Sequence, residues 1–313
     1  MKTAEHVEKP LYPSNWMVVE FSARGRCKRT PVNAYDPRPP RWKGVKDMVL
    51  PGDDRATALL VLPEEEHVLL LTTAFRTHLI PVEEIPLSGV GEGEPESCVP
   101  LSGEEEVALA VPWPEESPQV WVMLTQGGWA RRFRGSEVAE GAKEGRRLRH
   151  VKDWWGPPRL FLPGEEEMAL LVVTYQGQGL YVPVDRLPRV DASPLPLQVG
   201  DSIAGGVVAG SAPTVVLVSP DGRGMRRSTD AFPPSESHRS WGVMITQKTR
   251  VQGIAPVREQ DDVFILSAQG RIHRLPARLI PLRKNRSRGI RLSLLPPRDK
   301  VAAITSVTPV AIA

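Results

Sequence analysis

One unit recurs six times along this chain at a spacing near fifty residues, and that period leaves few folds open. Each copy is an apolar run, a turn that usually carries Gly, one or more basic residues, often a Pro, and then a hydrophobic residue. The copies begin VVEFSARGRCKRTPVNAY at Val18, VLLLTTAFRTHLIPVEEI at Val68 and VWVMLTQGGWARRFRGSEV at Val120. LLVVTYQGQGLYVPVDRL at Leu170, VVLVSPDGRGMRRSTDAF at Val215 and VFILSAQGRIHRLPARLI at Val263 complete the series. Measured between Val19, Val68, Val120, Leu170, Val215 and Val263, the steps are 49, 52, 50, 45 and 48 residues.

Each copy reads as a β-hairpin. Runs such as VLLL, VWVML and VFIL are too short for helices and suit strands buried on both faces. Turns such as Asp221-Gly222 and Gln269-Gly270 supply the residue that a tight reversal needs at positive φ. Pro31, Pro81, Pro183 and Pro276 then end the pairing of the second strand. The rest of the unit adds a strand pair, seen as Gly44-Val45-Lys46 or Gly289-Ile290-Arg291-Leu292, followed by runs such as ALLVL, EVALAV and VAAITSV. Four short strands per unit, six times over, describe an all-β, propeller-like ring of four-stranded blades. The third unit is irregular, because residues 139–158 lack a clean third strand. Residues 1–16 read as a polar extension and 17–313 as one domain, with units starting near 18, 67, 119, 169, 214 and 262.

Composition agrees and excludes other classes. Thirty-two prolines in 313 residues do not tolerate long helices. No apolar run approaches the ~18 residues of a membrane helix, and the N-terminus has no apolar signal-peptide core. Cys27 and Cys98, without a CxxC pattern or clustered His, give neither a disulfide framework nor a Cys-built zinc site and fit a reducing cytosol. Cytoplasmic localisation, associated with the nucleoid, is the expectation. Net charge is +3, but unevenly spread: +4 over residues 1–60, −12 over 61–118, +5 over 119–160, −1 over 161–257 and +7 over 258–313. A surface with basic sectors and one acidic sector follows.

Gly25-Arg26-Cys27-Lys28-Arg29-Thr30-Pro31, followed by Tyr35 and Lys43-Gly44-Val45, resembles the repeat of the C-terminal domain of bacterial gyrase A and of its topoisomerase IV counterpart. Arg288-Gly289-Ile290-Arg291-Leu292 through Asp299-Lys300-Val301 is the next match, and the resemblance spans about residues 17–310. It implies a six-bladed β-pinwheel, in which blades exchange strands, and a basic outer rim that bends DNA for a strand-passing enzyme. The family's breakage–reunion part does not occur in this sequence. Of the four tyrosines, Tyr35, Tyr175 and Tyr181 lie inside repeats and Tyr12 in the polar lead-in, so none reads as a DNA-cleaving nucleophile. The basic Gln-Arg-Arg-Gly-Gly-Lys-Gly box of gyrases is reduced to Pro39-Pro40-Arg41-Trp42-Lys43-Gly44. Bending of the topoisomerase IV kind, rather than full chiral wrapping, is what carries over.

Basic residues recur in phase, which on a ring sets them along one rim. Arg26, Lys28 and Arg29 correspond roughly to Arg131, Arg132 and Arg134, to Arg226 and Arg227, and to Arg271 and Arg274. Arg41 and Lys43 join them from the reduced box. Arg283, Lys284, Arg286 and Arg288, with Arg291 beyond, form the densest cluster and the strongest candidate for phosphate contact. A second basic run, Arg146 to Lys152, lies beside Trp154 and Trp155, which read mainly as packing and otherwise as a stacking platform. Glu64-Glu65-Glu66 and Glu165-Glu166-Glu167 share one phase; they read as solvated turns, or as a break in a DNA path. The six histidines have no metal-ligand spacing, and no nucleophile elbow, Walker loop or dinucleotide fingerprint occurs.

The sequence therefore predicts a non-catalytic pinwheel that binds double-stranded DNA with little regard to base sequence. No cofactor, metal, membrane or small-molecule substrate is expected, and type II topoisomerase subunits are the expected protein partners. The rival reading is a protein-interaction scaffold that has lost DNA wrapping.

Overall fold

A computed structural model describes residues 11–116, 118–232, 243–247, 249–284 and 286–309. The repeat folds as six small antiparallel sheets around one axis. In the first blade the strands run Ala56–Pro63, Trp16–Ser22, Arg26–Pro31 and Glu96–Ser97, from inside to outside. The last of these belongs to the second unit, and every unit but the third likewise lends its third strand to the blade before it. Val45–Lys46 of the first unit pairs with Arg271–Pro276 of the sixth and closes the ring.

The innermost strands (Ala56–Pro63, Val107–Pro112, Pro158–Gly164, Ile203–Val208, Gly253–Val257 and Val301–Val307) touch their neighbours in an unbroken cycle. The six clusters of buried apolar residues lie between consecutive blades, not within any one. That is why the first strand of each hairpin is apolar at successive positions: both faces are covered.

The hairpin turn is built the same way in all six blades. A Ser or Thr ends the first strand, and its Oγ accepts from the backbone N–H four residues on. Arg26, Arg76, Trp129, Gln178, Arg223 and Arg271 donate to Ser22, Thr72, Thr125, Thr174, Ser219 and Ser267. Five of the turns place Gly at positive φ before that donor; the second places Phe75 there at φ 60. Phe75 is buried among the side chains of the second and third blades, which offsets the strain of a left-handed aromatic residue.

Two expectations are corrected. The second blade has three strands, not four. Its outer edge holds only the bridge between Arg76 and Arg147, because the third unit inserts the helix Gly135–Glu144 where the other five units make a single 3-10 turn. Arg134 stands where four units carry Pro, and Val138 and Ala142, one helical turn apart, are buried below it. Tyr12, in the lead-in read as a polar extension, is 2% exposed and packs between the first and sixth blades. Strand exchange brings Cys27 and Cys98 together as a disulfide, with Cα atoms 5.9 Å apart. No described helix is long and apolar enough to cross a membrane.

Candidate nucleic-acid interface

Counting from the Ser or Thr of the turn, the seventh residue is Arg29, Arg132, Arg226 and Arg274 in the first, third, fifth and sixth blades. These arginines do not line the rim. Each crosses the seam to the next unit and donates to the carbonyl that leaves its 3-10 turn. Arg29 Nε reaches Ile85 O at 2.6 Å, Arg132 Nε reaches Leu187 O at 2.6 Å, and Arg226 Nε reaches Ile280 O at 2.8 Å. Arg274 Nη1 reaches Tyr35 O at 2.8 Å, across the seam where the ring closes. Acid partners complete the pattern: Glu64 for Arg29, Glu166 for Arg132 at 3.7 Å, Glu259 for Arg226 at 3.8 Å and Asp262 for Arg274 at 2.7 Å. The glutamate runs before the second and fourth units thus belong to these latches. Leu79 and Tyr181 occupy the position in the second and fourth blades, whose seams do without one.

Lys28, Arg131 and Arg227 are buried as well. Lys28 Nζ lies 3.0 Å from both Asp47 Oδ1 and Gly89 O. Arg131 donates to the carbonyls of Arg149 and Arg189 and stacks its guanidinium over Phe133. Arg227 Nη1 holds the carbonyls of Arg283 and Lys284 at 2.8 and 2.6 Å. Desolvation lowers the pKa of Arg29, Arg131, Arg132 and Arg227. Lys28, Arg29, Arg131, Arg132, Arg226, Arg227 and Arg274 are therefore removed from the predicted phosphate surface, since a cation enclosed by carbonyls in a seam does not reach a phosphate. Arg26 and Arg271 are intermediate. Their Nη1 atoms bond Pro95 O at 2.8 Å and Gly44 O at 3.2 Å, on the exchanged segments.

The remaining candidates are at the surface. Arg41, Lys43, Arg134, Arg283, Lys284, Arg286 and Arg288 are exposed, and Arg291 is partly so. Topology brings most of them together. Trp42 bridges Ser293, and Arg41 N–H donates to Leu292 O at 2.9 Å, so the reduced box lies against the end of the basic loop. A basic sector runs from Arg250, stacked over Tyr175 at the fourth blade, through Arg286 in the same groove. It continues over Arg283, Lys284, Arg288 and Arg291 at the fifth blade to Arg41, Lys43 and Lys46 at the sixth. Among the described residues Arg283, Lys284, Arg286 and Arg288 have no acidic partner, whereas Arg291 lies 3.9 Å from Asp221. The sector stops at the first blade, whose edge carries exposed Glu92, Glu94 and Glu96 from the acidic second unit.

Arg134 lies apart, beside the inserted helix, with Arg146, Arg147 and Arg149 in one shallow depression. Of the neighbouring tryptophans, Trp155 is buried and stacks on Trp129, while Trp154 is 66% exposed. Among the described residues no group of His, Cys, Asp and Glu could hold a metal ion.

His273, one residue before Arg274, carries no signal in the sequence. It is fully buried, its ring 5.4 Å from that of Trp42, and burial lowers its pKa to about 4. An unfolded chain protonates this histidine near 6.5, so the folded state loses stability as pH falls from about 6.5 toward about 4. The contribution between pH 7 and 5 is about 2 kcal/mol. The difference in urea midpoint between those pH values is expected to shrink in His273→Met, which installs the residue (Met225) of the fifth blade.

The fold and its rim define a six-bladed β-pinwheel with exchanged edge strands. The chain resembles the C-terminal domain of the DNA gyrase A protein. The family described as the DNA gyrase C-terminal domain, beta-propeller, matches residues 18–63 and 261–308, most of the two blades that meet at the closing seam. The DNA gyrase A protein of Aminobacterium colombiense is 25% identical over 310 residues, covering 95% of this chain and 38% of the relative. That of Lawsonia intracellularis is 25% identical over 315 residues, covering 93% and 37%. This chain thus spans under two-fifths of the length of these relatives. A solved gyrase A C-terminal domain superposes with a TM-score of 0.80 at 16% identity, covering 93% of this chain and 99% of that one. A topoisomerase IV C-terminal domain gives 0.58 at 17% identity, covering 96% and 95%.

Proposed function

We propose that this chain is a non-catalytic DNA-bending module that takes duplex DNA along the edges of its fourth, fifth and sixth blades. The observation that carries this reading is the sector of exposed cations from Arg250 to Lys46, of which Arg283, Lys284, Arg286 and Arg288 have no acidic partner among the described residues. Charges spread along a curved edge attract phosphates at successive positions. They offset a bending cost on the order of 1–6 kcal/mol for 40–90° over 20–30 bp. Lys and Arg read phosphates and shape rather than base edges, so binding is expected to be largely independent of sequence. The acidic edge of the first blade gives the track an end, which supports bending over a closed wrap. The relatives' names make a type II topoisomerase the enzyme beside which such a module acts.

Binding to a duplex of ~150 bp, titrated from about 50 to 200 mM salt, tests this. Neutralising six or more phosphates gives a log–log slope steeper than about −5. No binding at the lowest salt overturns the reading and leaves the protein-interaction scaffold.

A further inference from the structure

We propose that one mouth of the pinwheel's axis is a binding site for a compact phosphate-type oxyanion, organised around Arg159. The inner strands of five blades share an irregularity near their start, where one extra residue interrupts the register. The extra residues are Thr57, Ala108, Arg159, Ala204 and Ala302. A bulge re-aims its residue out of the ladder. Thr57, Ala108, Arg159 and Ala302 all line one cavity, at the point where the ring of inner strands opens beside the hairpin turns. Four of the five bulge residues are small and leave room there. The fifth is an arginine.

Nothing among the described residues answers that charge. Arg159 forms no ion pair or hydrogen bond among the described residues, and its Nε is shielded from solvent without a partner. Desolvation alone lowers its pKa, with no carboxylate near enough to raise it. The same cavity is lined by Arg55, Lys300 and a single acid, Glu106. Glu106 is already engaged by Arg55, whose two terminal nitrogens lie 2.9 and 2.6 Å from its carboxylate oxygens. Arg159, Lys300 and the mutually neutralised Arg55–Glu106 pair thus face a pocket whose remaining polar side chains include Gln126 and Gln252. A guanidinium held partly out of water gains most from a ligand that takes two parallel N–H donors, which a phosphate does. The mouth and the rim are separate sites with different geometry.

Isothermal titration with inorganic phosphate, in chloride buffer of matched ionic strength, provides the test. The parent protein is expected to show saturable binding at one site. Arg159→Ala, which installs the residue of the second, fourth and sixth blades, is expected to weaken it at least tenfold. In chloride alone this variant should melt no lower than the parent, and in phosphate only the parent should gain. A variant with Arg283, Lys284, Arg286 and Arg288 changed to Glu retains phosphate binding at the mouth, so the result does not depend on the DNA reading. Saturable binding that survives Arg159→Ala, or none in the parent, overturns the proposal.

Discussion

Arg274→Met is expected to lower the unfolding free energy by about 3–5 kcal/mol, the range for removing one member of a buried ion pair. Arg274 and Asp262 are both essentially inaccessible, and the guanidinium donates to the carboxylate from Nε at 2.9 Å and from Nη2 at 2.7 Å. The same carboxylate oxygen accepts from the Tyr12 hydroxyl at 3.0 Å, and the arginine lies 5.0 Å from the Tyr12 ring centre. Through Tyr35 O the guanidinium also holds the first unit. One residue thus ties the lead-in, the first blade and the last. Methionine strands Asp262 as a buried carboxylate with only a tyrosine to answer it. Arg274→Met with Asp262→Leu removes both charges and should recover much of the loss, because replacing a whole buried pair by apolar residues is often close to neutral. Urea unfolding measures both; a loss below about 1 kcal/mol in the single variant would show that the seam does not depend on the pair. Arg226→Met should cost less, since Glu259 is largely exposed and 3.8 Å away.

The ring was legible because its period is long and its strands are apolar at successive positions, a pattern that only cover on both faces explains. The phase of the arginines was equally legible, but not its meaning. A rim cation and a seam latch recur with the same period, here in four of the six units, and only the carbonyl across the seam tells them apart. One signal did separate them: Glu64, Glu166 and Glu259 recur in a matching phase, as partners of buried cations would. The disulfide was hidden because its 71-residue separation is bridged by strand exchange, which joins Cys27 of one unit to Cys98 of the next. The helix Gly135–Glu144 was missed because its apolar face is only Val138 and Ala142, too short a stripe to stand out from a loop. The exposed loop at Arg283 to Arg288 was readable from density of charge alone, as no partner is needed to recognise it.

Changing Arg283, Lys284, Arg286 and Arg288 to Glu is expected to flatten the salt dependence of DNA binding by about 3.6 units of slope, near 0.9 for each phosphate no longer neutralised. Affinity at about 100 mM salt should fall at least a hundredfold, because the reversed charges also repel the backbone. Stability should stay within about 0.5 kcal/mol of the parent, since these side chains are exposed. The backbone of the loop is held independently of them: Arg227 donates to the carbonyls of Arg283 and Lys284, and Arg226 N–H to that of Pro281. That division of labour gives a second, sharper expectation. Arg227→Met removes no surface charge, yet it releases the loop and should weaken DNA binding while leaving the salt slope nearly unchanged. A buried arginine that touched phosphate would instead lower the slope by about one. If the fourfold variant binds as the parent does, the track lies on the other basic edge, where Arg146, Arg147 and Arg149 stand near exposed Trp154, and the fifth-blade loop serves something else.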